Sequence, residues 1–257
     1  MHIREDKYKE VYLNKKIIMK KFLFYFRYLH VMIIYGQQSG KVIYKVRNYN
    51  NIEINQKIRT QRVESYYNNI LKKHQKIYSL AQDFDFVLKF NPNESLYYWE
   101  EEMPDENLNK FTFILARNLG SGMSIKYKSK KDSLLLIQGR KPGLDKLYRE
   151  TSSLFKYNWK ITKETDTILG YSVIKAVSKN IEVWFTPNIP VPFGPAGYGG
   201  VPGLMLKKRF IKQFPAYQLV ATEIHFYKKP IQIKKPNKGI LRTEKEGRTE
   251  RIKSIKF

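Results

Sequence analysis

The sequence predicts a mainly β protein of the α+β class, in which an antiparallel sheet carries one amphipathic helix. Short apolar segments recur about every ten residues and are separated by turn-forming residues, as is typical of directly connected antiparallel strands. The 19 tyrosines and 15 phenylalanines among 257 residues also favour strands. With 42 % hydrophobic residues the chain can bury one large core, so we predict a folded protein rather than a disordered one.

The strands are predicted from alternating or short continuous apolar runs bounded by turn residues. They occupy residues 42–46, 84–90, 94–100, 111–117, 123–129, 132–138, 154–161, 171–177, 181–186, 203–211 and 217–227. A final strand is expected after residue 228.

The helix is predicted at residues 58–81, where the periodicity changes. Its stripe recurs at spacings of three and four residues, without an intervening glycine or proline, at Val63, Tyr66, Ile70, His74, Ile77 and Ala81. We expect this stripe to face the sheet rather than a membrane, because the strands that it can cover follow directly.

The segment from Pro187 to Leu206 holds five of the 11 prolines and five of the 14 glycines. The prolines restrict φ and predict a stiff extended stretch, whereas the glycines that follow permit a reversal. We predict a rigid corner between two strands, held against the sheet by Phe193 and Tyr198. A phosphate-binding loop is not expected, because the strand–loop–helix context and its terminal lysine are missing.

The chain is expected to contain a signal peptide, one domain and a C-terminal tail. Residues 1–37 have the layout of a signal peptide with its start at Met19, since two lysines precede an apolar run at residues 22–35. An ordinary buried helix is the alternative. Residues 38–228 form the single β-rich domain, and residues 229–257 form a basic strand or tail. The apolar run is too short to span a bilayer stably, so the mature chain has no predicted transmembrane segment.

The charge is strongly positive, with 48 basic and 23 acidic residues and a formal net charge of +25. Such a chain attracts polyanions, and association with an anionic membrane surface is one consequence. Lysine outnumbers arginine, which is the residue preferred for bidentate phosphate and base recognition, so we expect no sequence-specific nucleic-acid binding. A basic binder of nucleic acid or lipopolysaccharide remains an alternative function.

Residues suited to catalysis are sparse. There is no cysteine, which excludes disulfides and thiolate sites. His74 and His225 are isolated, so we predict no metal site and no cofactor. The carboxylate cluster Glu100, Glu101, Glu102, Asp105 and Glu106 lacks the ligand spacing of a calcium loop and is expected to be a solvated loop. A carboxylate-dependent hydrolase that uses this cluster is the alternative.

Several segments resemble the GLPGLI family of exported proteins from Bacteroidota-type bacteria. "GVPGLM" (Gly200–Met205) is similar to the family signature, and "FVLKFNPNES" (Phe86–Ser95), "NWKITKETDTILGYSVIKA" (Asn158–Ala176) and "VWFTPNIPVPFGP" (Val183–Pro195) resemble its layout. The resemblance assigns a structural turn to the motif residues Gly194, Pro195, Gly199, Gly200, Val201, Pro202, Gly203, Leu204 and Met205. More faintly, the chain resembles periplasmic lipoprotein carriers, which implies a curved sheet or half-barrel.

The GLPGLI resemblance implies export to the periplasm or cell surface and supplies no catalytic residues. Together with the lack of catalytic motifs, it predicts a non-catalytic envelope protein that binds an apolar or amphiphilic ligand or an envelope partner. The aromatic candidates for a ligand-binding or core face are Tyr66, Trp159, Trp184, Phe193 and Tyr198.

Overall fold

The structure is a computed structural model that describes Lys20 and residues 39–48, 75–101, 109–140, 146–154, 156–211, 217–243 and 245–246. The chain divides into two compact units, Met1–Gln38 and Ser39–Phe257. Only Lys20, which is helical, is described in the first unit, so the predicted signal peptide lies outside the described residues. The second unit contains the β structure.

In the described part of the chain, twelve strands form one sheet. Their bounds are β1 Ser39–Asn48, β2 Phe86–Phe90, β3 Glu94–Trp99, β4 Ser124–Ser129, β5 Leu134–Arg140, β6 Leu147–Ser153, β7 Lys160–Ile168, β8 Tyr171–Ser178, β9 Ile181–Thr186, β10 Leu204–Phe210, β11 Tyr217–Tyr227 and β12 Ile240–Thr243. Helix α1 covers residues 75–83 of the described chain, and helix α2 covers Lys110–Leu119. A short 3-10 turn lies at Pro195–Gly197.

The strand order is β12-β6-β5-β4-β3-β2-β1-β11-β10-β9-β8-β7. Strand β1 lies in the middle and pairs with β2 on one side and β11 on the other. The chain moves outward from β1 to β6, crosses to β7 at the opposite edge and returns inward to β11. Among the described strands, each pairing of neighbours is antiparallel except the parallel pairing of β12 with β6. The predicted mainly β, antiparallel architecture is confirmed.

The sheet is rolled rather than flat. Strands β6 and β7 are second and twelfth in the order, and these ten spacings would measure about 48 Å in a flat sheet. The connection from Ser153 to Lys160 has seven Cα–Cα steps and reaches at most about 25 Å. The sheet must therefore curl until its two halves face each other across a concave interior.

The core is rich in aromatic side chains where the helices meet the sheet. Phe84, which follows α1, lies 5.6 Å from Trp99 of β3 and 5.4 Å from Phe113 of α2, measured between ring centroids. Ile77 and Ala81 of α1 are buried in the same cluster. Residues 75–81 are helical as the sequence predicts, whereas residues 58–74 of the predicted helix lie outside the described residues.

Two strand predictions were wrong. Residues 111–117 lie in α2, because a continuous apolar run does not distinguish a strand from a buried helix. The deciding feature is Asn109, whose side-chain oxygen accepts hydrogen bonds from the backbone N–H groups of Phe111 and Thr112 at 3.0 and 3.1 Å and so caps the helix. Residues 154–161 mainly connect β6 to β7, and these two polar strands were missed.

The segment between β11 and β12 covers the outer face of β4 and β5. Ile233 is buried against Tyr127 and Leu136. The Asn91 side chain donates a hydrogen bond of 3.1 Å to the Ile231 carbonyl. The expected final strand is β12, which extends the sheet beyond β6.

Candidate functional site

A cavity of about 320 Å³ lies inside the rolled sheet. Its walls are β4 and β5 on one side, β10 and the start of β11 on the other, and the end of α2 together with the 3-10 turn. Its charged and polar lining side chains include Asn118, Ser121, Lys126, Lys156 and Lys208. Its aromatic lining consists of Tyr157, Tyr198, Phe210 and Tyr217. The volume is at the lower end of the ~300–1,000 Å³ that is typical of small-molecule sites.

Strand β4 directs two lysines into the interior. Lys126 and Lys128 are two residues apart and therefore share one face of the strand, and they are only 6 % and 2 % exposed. The Lys126 ammonium donates to the Ser121 carbonyl at 2.5 Å, and to the Ser124 carbonyl and hydroxyl at 3.1 Å each. These three acceptors match the three donors of a lysine, so Lys126 is held in one position.

Lys128 joins β4 to the loop between β9 and β10. Its ammonium donates a hydrogen bond of 2.5 Å to the Tyr198 carbonyl. A Cβ atom on Gly199 would lie 2.5 Å from this ammonium and 2.5 Å from the Pro192 carbonyl oxygen. Glycine at this position therefore allows the lysine and the loop to approach closely.

Lys208 reaches the interior because β10 contains a β-bulge. The register shifts between Met205 and Lys207, so that Lys207 faces Trp184 and Lys208 faces Val183. Without the extra residue, Lys207 would take the inner position. The bulge therefore decides which of two adjacent lysines enters the cavity wall.

The Lys208 ammonium is surrounded by aromatic rings. It lies 3.6 Å from the centroid of the Phe210 ring and 4.9 Å from that of Tyr198, and the residue is 4 % exposed. Within the part of the chain that the structure describes, no hydrogen-bond acceptor or carboxylate contacts this ammonium. The rings offer cation–π attraction but no hydrogen bond.

Burial lowers the pKa of all three lysines to about 7. The charge of Lys126 further lowers the pKa of Lys208, and Lys156 does the same to Lys128. No aspartate or glutamate lines the cavity among the described residues to oppose these effects. The site is thus a cationic cavity whose charge changes near neutral pH.

The motif residues of the β9–β10 connection flank the cavity-lining residues Ala196, Gly197 and Tyr198 in the chain. Met205 donates its backbone N–H to the Phe193 carbonyl at 2.9 Å, and Leu204 donates to the Ile189 carbonyl at 2.9 Å. A Cβ on Gly203 would lie 2.2 Å from the Thr186 carbonyl oxygen. Two motif residues are not buried, since Gly200 is half-buried and Pro202 is exposed. The buried motif residues are Gly194, Pro195, Gly199, Val201, Gly203, Leu204 and Met205.

The predicted aromatic residues are not brought into one group. Tyr198 lines the cavity, and the Trp159 indole donates a hydrogen bond of 3.0 Å to the Gly199 carbonyl beside it. Phe193 is fully buried in the core. Trp184 lies on the other face of β9, where the Lys207 ammonium is 4.0 Å from its ring centroid. Tyr66 lies outside the described residues.

The remaining candidates lie away from the cavity lining. His225 is exposed and contacts the Glu223 carboxylate at 2.8 Å, while His74 lies outside the described residues. Of the acidic cluster, Glu100 is 4.0 Å from the Lys41 ammonium, and residues 102–108 are not described. The described residues contain no group of histidine, aspartate and glutamate side chains suited to a metal ion. No helix in the same part of the chain has the length and apolar character needed to cross a membrane.

Sequence reasoning missed the lysines. In "SIKYKS" the alternation of lysine with isoleucine and tyrosine indicates a strand whose lysines face solvent. The structure covers both faces of β4, so that Tyr127 packs on the outside and Lys126 and Lys128 on the inside. The pattern of one strand contains no signal for this double burial.

Comparison with known proteins finds one matching family model and similar solved structures. A family model described as "N-glycanase peptide, N-terminal domain" matches residues 143–243. This range contains β6 to β12 and therefore Lys208 and the β9–β10 connection, but not the lysines of β4. No curated protein sequence matches the chain.

Two solved structures of PNGF-II have a similar fold. The structure in space group C2 aligns with a TM-score of 0.52 at 16 % identity, over 84 % of this chain and 33 % of that one. The structure in space group P21 aligns with a TM-score of 0.50 at 17 % identity, over 82 % and 32 %. This chain thus spans about a third of the length of these structures, and at this identity the likeness is one of fold.

These findings correct three predictions. The GLPGLI assignment was wrong, because the matching family model is that of an N-glycanase N-terminal domain and the similar structures are those of PNGF-II. The likeness to lipoprotein carriers was wrong for the same reason, and in the described residues 75–243 two helices rather than one accompany the sheet. The predicted non-catalytic binder of apolar ligands is contradicted by the relation to a glycanase and finds no counterpart in the cationic cavity. Short Gly-Pro motifs misled us because they reflect the local demands of a tight connection, such as the close approach at Gly203.

Proposed function

We propose that this chain takes part in the release of N-linked glycans, as a counterpart of the N-terminal domain of an N-glycanase. The observation that carries the proposal is the match of residues 143–243 to that domain, because these residues build one wall of the cavity. The likeness in fold to PNGF-II over 84 % of the chain supports it.

The lining of the cavity is suited to part of a glycan. Sugar rings present apolar C–H faces that pack on aromatic rings, and Tyr157, Tyr198 and Phe210 line the cavity. Sugar hydroxyls donate and accept hydrogen bonds, for which Asn118 and Ser121 supply both donors and acceptors. Aromatic and apolar side chains combined with several polar groups are typical of small-molecule sites.

Among the described lining residues, Lys126 and Lys208 are suited to exchange protons at neutral pH. A group whose pKa is near the working pH is the most effective general acid or base, and the pKa of Lys126 and of Lys208 is about 7. The proposal therefore assigns any proton transfer within this cavity to lysine, since the described lining lacks the carboxylate pair of a typical glycosidase.

An extracytoplasmic location is part of the proposal. The apolar run at residues 22–35, preceded by Lys20 and Lys21, supports it at the level of the sequence. The finer choice between periplasm and secretion remains an expectation.

The test uses the full chain and an N-glycosylated peptide, with the same peptide lacking its glycan as the control. Binding is measured by isothermal titration calorimetry, and released glycan is measured by mass spectrometry. We expect glycan release, or binding of the glycopeptide at least tenfold tighter than that of the bare peptide. Equal binding of both peptides without any released glycan would overturn the proposal.

A further inference from the structure

The cavity contains buried positive charge without a balancing carboxylate. The buried side chains of Lys126 and Lys208 line it, and no aspartate or glutamate does so among the described residues. A buried charge is usually paired, because removing an ion from water without a partner is costly. The described lining therefore lacks the anion that would complete this site.

Lys208 has unused hydrogen-bonding capacity. Lys126 donates to three protein acceptors, whereas among the described residues the Lys208 ammonium contacts the Phe210 and Tyr198 rings and no acceptor. A lysine ammonium has three donors, and here they face a cavity large enough for a small ligand. A side chain that is buried, charged and without an acceptor points to a ligand that supplies one.

We infer that the cavity binds an oxyanion carried by a ligand the size of a sugar ring, with the Lys208 ammonium donating to the anion and Lys126 adding to the favourable field. The ring part of the inference rests on the proposed function, since it identifies the ligand as an acidic sugar. The oxyanion part rests on the lysines alone. A carboxylate, a sulfate and a phosphate share the required chemistry.

Binding of such an anion is linked to protonation of the lysines. Among the described residues, the titratable groups that line the cavity with Lys208 are Lys126 from β4, Lys156 from the β6–β7 connection, and the tyrosines at 157, 198 and 217. Because the pKa of Lys208 is about 7, its charged fraction falls from about 0.9 at pH 6 to about 0.1 at pH 8. Anion affinity should fall about tenfold over this range, and binding near pH 7.5 should take up protons from the buffer.

The experiment titrates the full chain with glucuronate and with glucose, which differ in one carboxylate. We expect glucuronate to bind at least tenfold more tightly at pH 6 and to lose that advantage at pH 8. Calorimetry in two buffers of different ionisation enthalpy measures the proton uptake. Inorganic phosphate and sulfate are titrated in parallel. If either anion binds as tightly as glucuronate, the cavity is a site for free anions, and the claim that a sugar ring carries the oxyanion is contradicted.

Matched variants locate the site. Lys208→Met should weaken glucuronate binding at least tenfold, whereas Lys207→Met alters the adjacent lysine on the other face and should leave it unchanged. If Lys208→Met fails to fold, the pH dependence and proton uptake of the unaltered chain still decide the question. Equal affinity for glucuronate and glucose, or equal loss in both variants, would overturn the inference.

A second pair of ligands separates this inference from the proposed function. An N-glycopeptide ending in a carboxylate sugar is compared with the same glycopeptide after that sugar is removed. Tight binding of both forms would support the function and contradict the oxyanion. Binding of free glucuronate without binding or cleavage of either glycopeptide would support the oxyanion and contradict the function.

Discussion

At the scale of single residues, burial of Lys126, Lys128 and Lys208 lowers the free energy of unfolding. Each has a pKa of about 7 in the folded protein against an ordinary value of 10.5. Between these two values the unfolded chain binds more protons than the folded chain, so the free energy of unfolding rises with pH from about 7 to about 10.5. Below pH 7 the full penalty is present. Such groups are kept where they serve a function, and this is why we place the site at them.

The stability of Lys208→Met tests this assignment. Methionine keeps the length of the side chain and removes the buried charge, so we expect the free energy of unfolding at pH 7 to rise by ~1–3 kcal/mol. The gain should shrink as the pH approaches 10, because the lysine of the unaltered chain is then neutral when folded and increasingly so when unfolded. Urea unfolding at pH 7 and pH 10 measures both effects.

The control for this variant is Lys207→Met. The Lys207 ammonium lies 2.8 Å from the Asp166 carboxylate on the other face of β10. Because the pair is partly exposed, its loss should lower the free energy of unfolding by ~0–1 kcal/mol. This change is opposite in sign to the gain expected for Lys208→Met. Destabilisation of similar size in both variants would contradict the claim that Lys208 is buried without compensation.

At the scale of elements, sequence patterns located most strands because the residue types of these strands by themselves favour β structure. Strand β9 and strand β11 were predicted with their observed bounds, since their sequences are runs rich in β-branched and aromatic residues. The polar strand β7 was missed because it lies at the sheet edge with most of its side chains exposed. Its identity as a strand comes from pairing with β8, which a local pattern does not contain.

The candidate site was harder to predict than the strands. Its lysines belong to β4 and β10, which are 80 residues apart in the chain. They face each other only because the sheet rolls, and Lys208 faces inward only because of the bulge before it. Rolling and bulging are properties of strand pairing, so no spacing within the sequence indicates them.

The β9–β10 connection offers a test of the close approach between Gly203 and the Thr186 carbonyl oxygen. In Gly203→Ala the new methyl group would meet the Thr186 carbonyl oxygen at 2.2 Å, and this oxygen belongs to the backbone of a buried strand. We expect a loss of about 2–3 kcal/mol in the free energy of unfolding, measured by urea denaturation. Asn188→Ala, at an exposed position of the same connection, should change it by less than about 0.5 kcal/mol. A loss below that limit for Gly203→Ala would contradict the geometry.

At the scale of the whole molecule, the rolled sheet needs support on its outside as well as its inside. The segment 229–239 supplies it by crossing β4 and β5 on the face opposite the lysines. The Arg149 guanidinium donates to the Gly239 carbonyl at 3.2 Å, and β12 then pairs with β6. The segment thus fixes the wall from which Lys126 and Lys128 project.

Truncation should therefore affect both stability and the cavity. Removing residues 229–257 exposes Tyr127 and Leu136 and removes the buried Ile233, so we expect a loss of about 3–5 kcal/mol in the free energy of unfolding. Because β4 loses its outer cover, glucuronate binding should weaken as well. The matched control removes only residues 247–257, which keeps β12 and every described contact of the segment, and it should retain the stability and binding of the full chain. Equal behaviour of the two truncated chains would mean that the outer segment does not support the wall. Urea unfolding and calorimetry on the same preparations decide between these outcomes.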